Sequence, residues 1–183
     1  MINLKIQKAL NFAAEKHKNQ TRKGTDIPYI VHPAECMQIL TELKCSENVI
    51  IAGILHDTLE DTDTTYNELV EKFNKEIADL VMDVSEQDKT LSWQERKDAY
   101  FKHLRNCQLE SRYVCFADKL ANLRSIYADY LVVGNNVWEK FNADKNCQKW
   151  FYTTVYNLLK TTEVSFSKLF IEYGELLDAL FLS

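Results

Sequence analysis

Residues that interrupt helices are scarce in this chain and are confined to a few places. The 183 residues include four glycines and two prolines, and both prolines, Pro28 and Pro33, lie in one short region. Because proline and glycine strongly disfavour helix interiors, long helices are expected almost everywhere else. No stretch shows the alternation of apolar and polar residues that is typical of a half-buried strand. The sequence therefore predicts an all-α protein.

Apolar residues recur at spacings of three and four in six segments, which is the period of an amphipathic helix. These segments are Leu4 to His17, Ala34 to Leu43, Leu69 to Val84, Ala99 to Leu109, Trp150 to Leu159 and Val164 to Leu182. Further helix starts are indicated by the capping residues Ser46, Thr65 and Ser92, so roughly nine helices are predicted. The sequence has no repeat or linker, and a single domain spanning residues 1–183 is expected.

The composition excludes several classes of protein. Hydrophobic residues make up 46% of the chain and charged residues 27%, and no apolar run approaches the ~20 residues of a membrane span. A net charge of −5 disfavours general binding to nucleic acid. The five scattered cysteines indicate neither a disulfide framework nor a thiolate zinc site. The first residues do not resemble a secretory signal, so a cytoplasmic location is expected.

An apolar helix that ends in a histidine and several carboxylates gives the first indication of a site. Every residue but one from Val49 to Leu55 is apolar, which is typical of a buried helix. If this helix continues, His56 and Glu60 lie four residues apart. Asp57 and Asp61 are related in the same way, so the four side chains form one patch. A bound cation would relieve the repulsion among these carboxylates, and a solvated acidic cap is the alternative.

Two further segments contribute residues of the same kind. The apolar run from Val114 to Ala117 leads into Asp118, and Asn122 follows one helical turn later on the same face. His32 precedes Pro33, which suits the first helical position, so His32 is expected at the mouth of a helix. Taken singly, an aspartate or a histidine in such a place is more often a capping or turn residue.

Considered together, four of these residues form a plausible donor set for a metal ion. They are His32, His56, Asp57 and Asp118. Two imidazoles and two carboxylates suit Mn, Fe, Co or Zn and leave coordination positions for water and substrate. The types of ligand do not choose among these metals.

The motifs resemble those of a known family in their order and separation. The H…HD…D pattern is similar to that of the HD superfamily of metal-dependent phosphohydrolases. More specific matches are Arg22-Lys23-Gly24, Pro28-Tyr29-Ile30-Val31-His32-Pro33, His56-Asp57-Thr58-Leu59-Glu60-Asp61 and Asp118-Lys119-Leu120-Ala121-Asn122-Leu123-Arg124. They look like the hydrolase domain of RelA/SpoT proteins. The similarity runs from Phe12 to Arg124, and the chain resembles a stand-alone small alarmone hydrolase of the metazoan SpoT-homologue kind.

This resemblance implies an HD-domain helical bundle and Mn²⁺-dependent removal of the 3′-pyrophosphate from ppGpp or pppGpp, the nucleotides of the stringent response. It implies that His32, His56, Asp57 and Asp118 hold the metal. It also implies that Glu60 and Asp61 orient and activate the attacking water, although the spacing does not show which of them is the base. The residues expected to contact the substrate are Arg22, Lys23, Lys119, Asn122 and Arg124.

Other functions are compatible with parts of the pattern. Another nucleotide phosphohydrolase, such as an enzyme that removes the 2′-phosphate of NADPH, would use the same metal site. A non-catalytic nucleotide or metal sensor is disfavoured by Glu60 and Asp61, because binding alone does not need a water-activating pair. An HD-type iron oxygenase is disfavoured because the further histidines of a second iron are missing. The oligomeric state stays open, a homo-oligomer included.

Overall fold

The computed structural model describes residues 4–86 and 90–182. In this described part, the regular elements are ten α-helices and two 3₁₀ helices, with one isolated antiparallel bridge between Thr21 and Pro28. The all-α prediction is confirmed, and the helix number is close to the one predicted. The chain divides into two compact units, Met1–Asp118 and Lys119–Ser183. The single domain stays a prediction.

The first unit contains seven helices and the beginning of an eighth. They are α1 (Leu4–Lys16), α2 (Val31–Glu42), α3 (Glu47–Leu55), α4 (Thr58–Asp61), α5 (Tyr66–Lys72), α6 (Lys75–Val84), α7 (Trp93–Leu104) and α8 (Leu109–Val133), which continues into the second unit. Helix α3 packs against α1, α2 and α6, and its residues from 49 to 55 are all buried. This confirms that the apolar helix is central.

A glycine allows α2 and α3 to pack closely. A Cβ atom at Gly53 would lie 2.2 Å from Cδ1 of Leu40, a fully buried residue of α2. Because this distance is far shorter than any ordinary carbon contact, a larger residue at position 53 would require Leu40 to move. The close packing matters for the site, because α2 carries His32 and the end of α3 leads into His56.

Two helix boundaries differ from the sequence prediction. Helix α2 begins at Val31 rather than at Pro33, so His32 lies within its first turn instead of before it, and Pro33 is the third helical residue. Proline is tolerated there because the first N–H groups of a helix have no partner within the helix. The predicted helix from Leu69 to Val84 is divided, because the side chain of Asn74 accepts a hydrogen bond from Ile77 N–H and starts a new helix, α6.

The second unit contains the rest of α8 and two further α-helices. After α8 come a 3₁₀ helix (Gly134–Lys140), α9 (Lys145–Leu159), a second 3₁₀ helix (Glu163–Phe166) and α10 (Lys168–Phe181). Helices α9 and α10 pack against each other, and the rings of Tyr156 and Phe170 stack with centroids 4.2 Å apart. Among the residues described, no helix is both long enough and apolar enough to cross a membrane.

Candidate metal centre

The four predicted metal ligands lie together within the first unit. His56 Nε2 is 2.9 Å from Asp57 Oδ2 and 3.8 Å from Asp118 Oδ1. His32 Nε2 is 3.2 Å from Asp118 Oδ1 and 3.6 Å from Asp57 Oδ2. The two Nε2 atoms are 3.2 Å apart. Three separate segments, α2, the end of α3 and α8, therefore supply one cluster of nitrogen and oxygen atoms.

These separations suit ligands that share one divalent ion. Metal–ligand bonds of about 2.0–2.2 Å place neighbouring donors about 2.9–3.5 Å apart around a tetrahedral or octahedral centre. Lone pairs that face one another at such distances repel unless a proton or a cation lies between them. Both histidine side chains are almost fully buried, whereas the Asp57 side chain is 18% exposed. The cluster is thus enclosed on the histidine side and open at a carboxylate.

The turn after α3 orients His56. Helix α3 ends at Leu55 and α4 begins at Thr58, so the helix is interrupted where the sequence suggested that it continues. At this break, His56 Nδ1 lies 2.8 Å from Gly53 O, and Thr58 Oγ1 donates a 2.7 Å hydrogen bond to Leu55 O. These contacts satisfy carbonyls that the helix end leaves free. Because Nδ1 donates to Gly53, the Nε2 atom of His56 is available as a ligand.

Mutual charge compensation governs the ionisation of the cluster. Burial disfavours a charged His56 ring, but the Asp57 and Asp118 carboxylates and the hydrogen bond to Gly53 together outweigh burial and raise the pKa of His56 to about 9. Burial also opposes the charge on Asp57, yet the adjacent His56 ring holds the pKa of Asp57 well below its ordinary value. Burial lowers the pKa of His32. A bound cation would take the place of the His56 proton, because a ligating imidazole is neutral.

Sequence reasoning missed two residues beside this cluster. The phenol of Tyr29 donates a hydrogen bond to Asp57 Oδ2. Cys36 Sγ lies 4.0 Å from His32 Nε2, and His32, Cys36 and His56 each present a ligand atom within 4.8 Å of the others. The spacing of four residues between His32 and Cys36 on one helix was the available signal for Cys36. No spacing rule identifies Tyr29.

Glu60 and Asp61 occupy α4, immediately after the ligand turn. Glu60 is half-buried, and its Oε2 accepts a 3.2 Å hydrogen bond from Glu86 N–H. Burial raises the pKa of Glu60, and the charges of Glu86 and Asp57 raise it further. Asp61 is exposed, and its main-chain oxygen accepts a 2.6 Å hydrogen bond from Gln20 Nε2. The two acids thus differ in environment, and Glu60 has the properties of a tuned base.

Arg22 and Lys23 lie on a tight turn before α2. Arg22 N–H donates to Ile27 O at 2.8 Å, and Gly24 adopts a φ of +78°, which favours glycine. The Arg22 guanidinium lies 5.7 Å from the ring centroid of Tyr29, the residue that hydrogen-bonds Asp57. Lys23 is exposed. Arg22 is therefore linked to the cluster through one aromatic ring.

The remaining predicted substrate residues, Lys119, Asn122 and Arg124, belong to the second unit. The Lys119 ammonium lies 5.4 Å from the ring centroid of Phe151. Arg124 forms a two-pronged ion pair with Glu172, in which Nε–Oε1 is 2.7 Å and Nη2–Oε2 is 2.8 Å. Asn122 is half-buried. Roles for these three residues in substrate binding stay predictions.

Comparisons with known proteins agree with the geometry. The model of the HD domain family (HD_4) matches residues 9–145. The guanosine-3′,5′-bis(diphosphate) 3′-pyrophosphohydrolase MESH1 of Xenopus tropicalis is 42% identical over 124 residues, which cover 66% of this chain and 69% of that protein. Human MESH1 is 39% identical over 124 residues, which again cover 66% of this chain and 69% of that protein.

Two solved structures are also similar to this chain in fold and sequence. The 1.85 Å crystal structure of lmo0812 from Listeria monocytogenes EGD-e is 34% identical with a TM-score of 0.75, covering 83% of this chain and 99% of that one. A metazoan orthologue of SpoT that hydrolyses ppGpp has a TM-score of 0.80 at 26% identity, covering 100% and 99%. An HD domain implies a divalent metal. Since the family model spans most of the sequence and the ligand cluster lies within the matched residues, this chain belongs to the HD-domain family.

Proposed function

We propose that this chain is a metal-dependent hydrolase that removes the 3′-pyrophosphate from ppGpp or pppGpp, with Mn²⁺ as its metal. The observation that carries the proposal is the convergence of two imidazoles and two carboxylates beside a half-buried glutamate. The relatives named above, which are guanosine-3′,5′-bis(diphosphate) 3′-pyrophosphohydrolases, support the choice of substrate. A cytoplasmic location and the absence of nucleic-acid binding stay predictions.

The four residues of the cluster share one part in the proposed mechanism. His32, His56, Asp57 and Asp118 hold the metal, which when bound polarises a phosphoryl oxygen and lowers the pKa of water towards ~7. The hydrogen bond from His56 Nδ1 to Gly53 O orients the ring so that Nε2 faces the metal position, where a bound cation would replace the Nε2 proton. These side chains are held by helix packing before the substrate arrives, so little reorganisation is needed during the reaction.

The chemistry is a displacement at phosphorus. Water attacks the phosphorus atom that is bonded to the ribose 3′-oxygen. The bond between this phosphorus and the 3′-oxygen breaks, and the 3′-oxygen takes up a proton. Glu60 accepts the proton that the water loses, because burial raises the pKa of Glu60 towards the range of a useful base. The exposed Asp61 orients the water. The products are pyrophosphate and GDP from ppGpp, or GTP from pppGpp.

Substrate phosphates need local positive charge, since the chain as a whole carries a net charge of −5. We assign this role to Arg22 and Lys23 on the turn before α2 and to Lys119 and Arg124 on α8. The neutral Asn122 would contact the substrate through hydrogen bonds instead. The cation–π contact between Arg22 and Tyr29 supports an arginine held close to the metal ligands.

A comparison of substrates tests the proposal. Metal-free protein is loaded with Mn²⁺ and incubated in parallel with ppGpp, NADPH and simple nucleotides, and the products are identified by ³¹P NMR. We expect pyrophosphate and GDP from ppGpp. Release of orthophosphate from NADPH alone would favour the 2′-phosphatase alternative, and binding of ppGpp without turnover would favour a sensor. Loading with Fe²⁺, Co²⁺ or Zn²⁺ in the same assay ranks the metals.

Two variants extend this assay, one that removes a metal ligand and one that serves as its control. Asp57→Ala should lose both bound metal and turnover, because it removes a ligand that contacts both histidines. Asp63→Asn should remain active, because Asp63 is exposed and pairs with Lys16 rather than with the cluster. Full activity of Asp57→Ala with unchanged metal content would contradict the proposal.

A further inference from the structure

A second group of metal-ligating side chains lies in the first unit and shares no residue with the HD cluster. A carboxylate oxygen of Asp83, a ring nitrogen of His103 and the Sγ of Cys107 all lie within 4.8 Å of one another. Asp83 Oδ1 is 3.2 Å from His103 Nε2. We propose that these three residues form a separate site for a borderline-soft divalent cation, for which Zn²⁺ is the best match.

The three donors come from two helices and one turn. Asp83 is in the last turn of α6, His103 is in the last turn of α7, and Cys107 lies in the connection between α7 and α8. Cys107 follows His103 by four residues, and its Sγ contacts His103 O at 3.3 Å. The end of α7 therefore presents the imidazole and the thiol side by side, facing the carboxylate of α6.

Two consecutive residues of α8 hold the ligands in place. Ser111 Oγ donates a 2.6 Å hydrogen bond to Asp83 Oδ2, which leaves Oδ1 facing His103. Arg112 Nη2 donates to Cys107 O at 3.1 Å and to Arg105 O at 2.8 Å. Hydrogen-bond partners of this kind orient the residues that bind a metal and are needed for full metal affinity. The carboxylate and the cysteine turn are thus positioned without a metal.

The chemistry of the donors selects the class of cation. Thiolate, imidazole and carboxylate together suit Zn²⁺, which binds three protein ligands and leaves a fourth position for water. Bonds of about 2.0–2.3 Å place tetrahedral ligands about 3.3–3.6 Å apart, a range close to the separation of Asp83 and His103. The His103 side chain is 55% exposed, so a cation can enter and the ring can adjust.

A metal bound at this place would change the protonation of the cysteine. Because a sulfur ligand must be deprotonated, a divalent ion between the Asp83 carboxylate and the Cys107 sulfur would displace the thiol proton and hold a thiolate. An ordinary hydrogen-bonded group of Asp83, His103 and Ser111 is the alternative, and it predicts no thiolate ligand.

Cobalt titration of the whole 183-residue chain separates these alternatives, because a Co²⁺–thiolate bond produces a charge-transfer band in the near ultraviolet. We expect this band in the metal-free protein, and we expect Zn²⁺ to abolish it by displacing Co²⁺. Cys107→Ser should lose the band and bind one metal ion fewer. Cys36→Ser is the matched control, because Cys36 lies beside His32 in the HD cluster, and the band should survive this change.

Further variants connect the band to the whole site. The band should persist in Asp57→Ala, which disables the HD cluster, so the result does not depend on the proposed hydrolase activity. Ser111→Ala should weaken Zn²⁺ binding by roughly 10–100-fold, because it frees the Asp83 carboxylate. Circular dichroism checks that each variant is folded. Absence of the band, its survival in Cys107→Ser or its loss in Cys36→Ser would overturn the proposal.

Discussion

Tyr29 donates a hydrogen bond of 2.5 Å from its phenol to Oδ2 of Asp57. The same oxygen is 2.9 Å from His56 Nε2, so Tyr29 orients one proposed metal ligand, Asp57, at the point where it contacts another, His56. The Tyr29 ring also packs edge-on against His32, with centroids 5.8 Å apart. Burial and the Asp57 charge raise the pKa of Tyr29 well above its usual value, so the phenol remains a donor. One aromatic residue thus contacts two of the three ligand-bearing segments, α2 and the turn after α3.

Removing the Tyr29 hydroxyl should therefore weaken metal binding. We expect Tyr29→Phe to lose roughly 10–100-fold in Mn²⁺ affinity, as is typical for an outer-shell partner, while its ring packing is kept. Isothermal titration of the metal-free protein measures the change. Tyr66→Phe is the control, because Tyr66 makes a similar 2.6 Å hydrogen bond to Asp79 outside the cluster. Equal affinities in the two variants would show that Tyr29 has no positioning role.

Glu60 should determine the acid limb of the pH profile. Because burial raises the pKa of Glu60, activity should fall at a higher pH than for an ordinary glutamate as the solution is acidified. Activity falls on acidification because a general base must be unprotonated, and the unprotonated form of Glu60 is lost as the pH drops through its pKa. Glu60→Gln should lower kcat by at least about 10²-fold, with metal content unchanged.

Asp61→Asn is the matched variant for this prediction. Asp61 is exposed, so its replacement should lower kcat less than Glu60→Gln and leave the acid limb where it is. Measurement of kcat against pH for both variants decides between the two acids. The opposite order of effects would assign the base to Asp61 instead.

Arg124 and Glu172 should stabilise the second unit as a pair. Their contact is two-pronged, but both side chains are about one-third exposed, so a double-mutant cycle should give a coupling of about 0.2–1 kcal/mol. Urea unfolding of Arg124→Ala, Glu172→Ala and the double variant measures it. Because Arg124 is also proposed to contact the substrate, Arg124→Ala should raise the KM for ppGpp, whereas Glu172→Ala should not. Unchanged KM in Arg124→Ala would remove Arg124 from the substrate site.

Two glycine substitutions should have opposite effects on stability. Gly53→Ala places a Cβ atom 2.2 Å from Leu40 Cδ1, so the free energy of unfolding should fall by about 1–3 kcal/mol. Gly174→Ala, in α10, meets Tyr156 at 3.4 Å or more, an ordinary contact. It should raise the free energy of unfolding by about 0.4–1 kcal/mol. Thermal and urea denaturation test both, and destabilisation of similar size in the two variants would contradict the packing argument.

Much of the fold could be predicted from sequence because helix signals are local. The scarcity of proline and glycine and the apolar spacing identified the helical class, and Ser92 caps α7 as predicted, in a capping box with Glu95. The break between α3 and α4 was missed, because the side chains of His56 and Thr58 satisfy helix-end carbonyls in a way that periodicity does not record. The division at Asn74 was missed for a similar reason.

By itself, the sequence determined that the chain is helical, and its motifs identified which histidines and aspartates to examine. Tertiary structure alone decided that Tyr29 reaches Asp57, that Cys36 lies beside His32, and that a separate group of three donors meets where α6 and α7 end. The physical reason is the range of the interactions involved. Backbone hydrogen bonding and helical period act over a few residues, whereas distances between side chains on different helices depend on how the whole core packs.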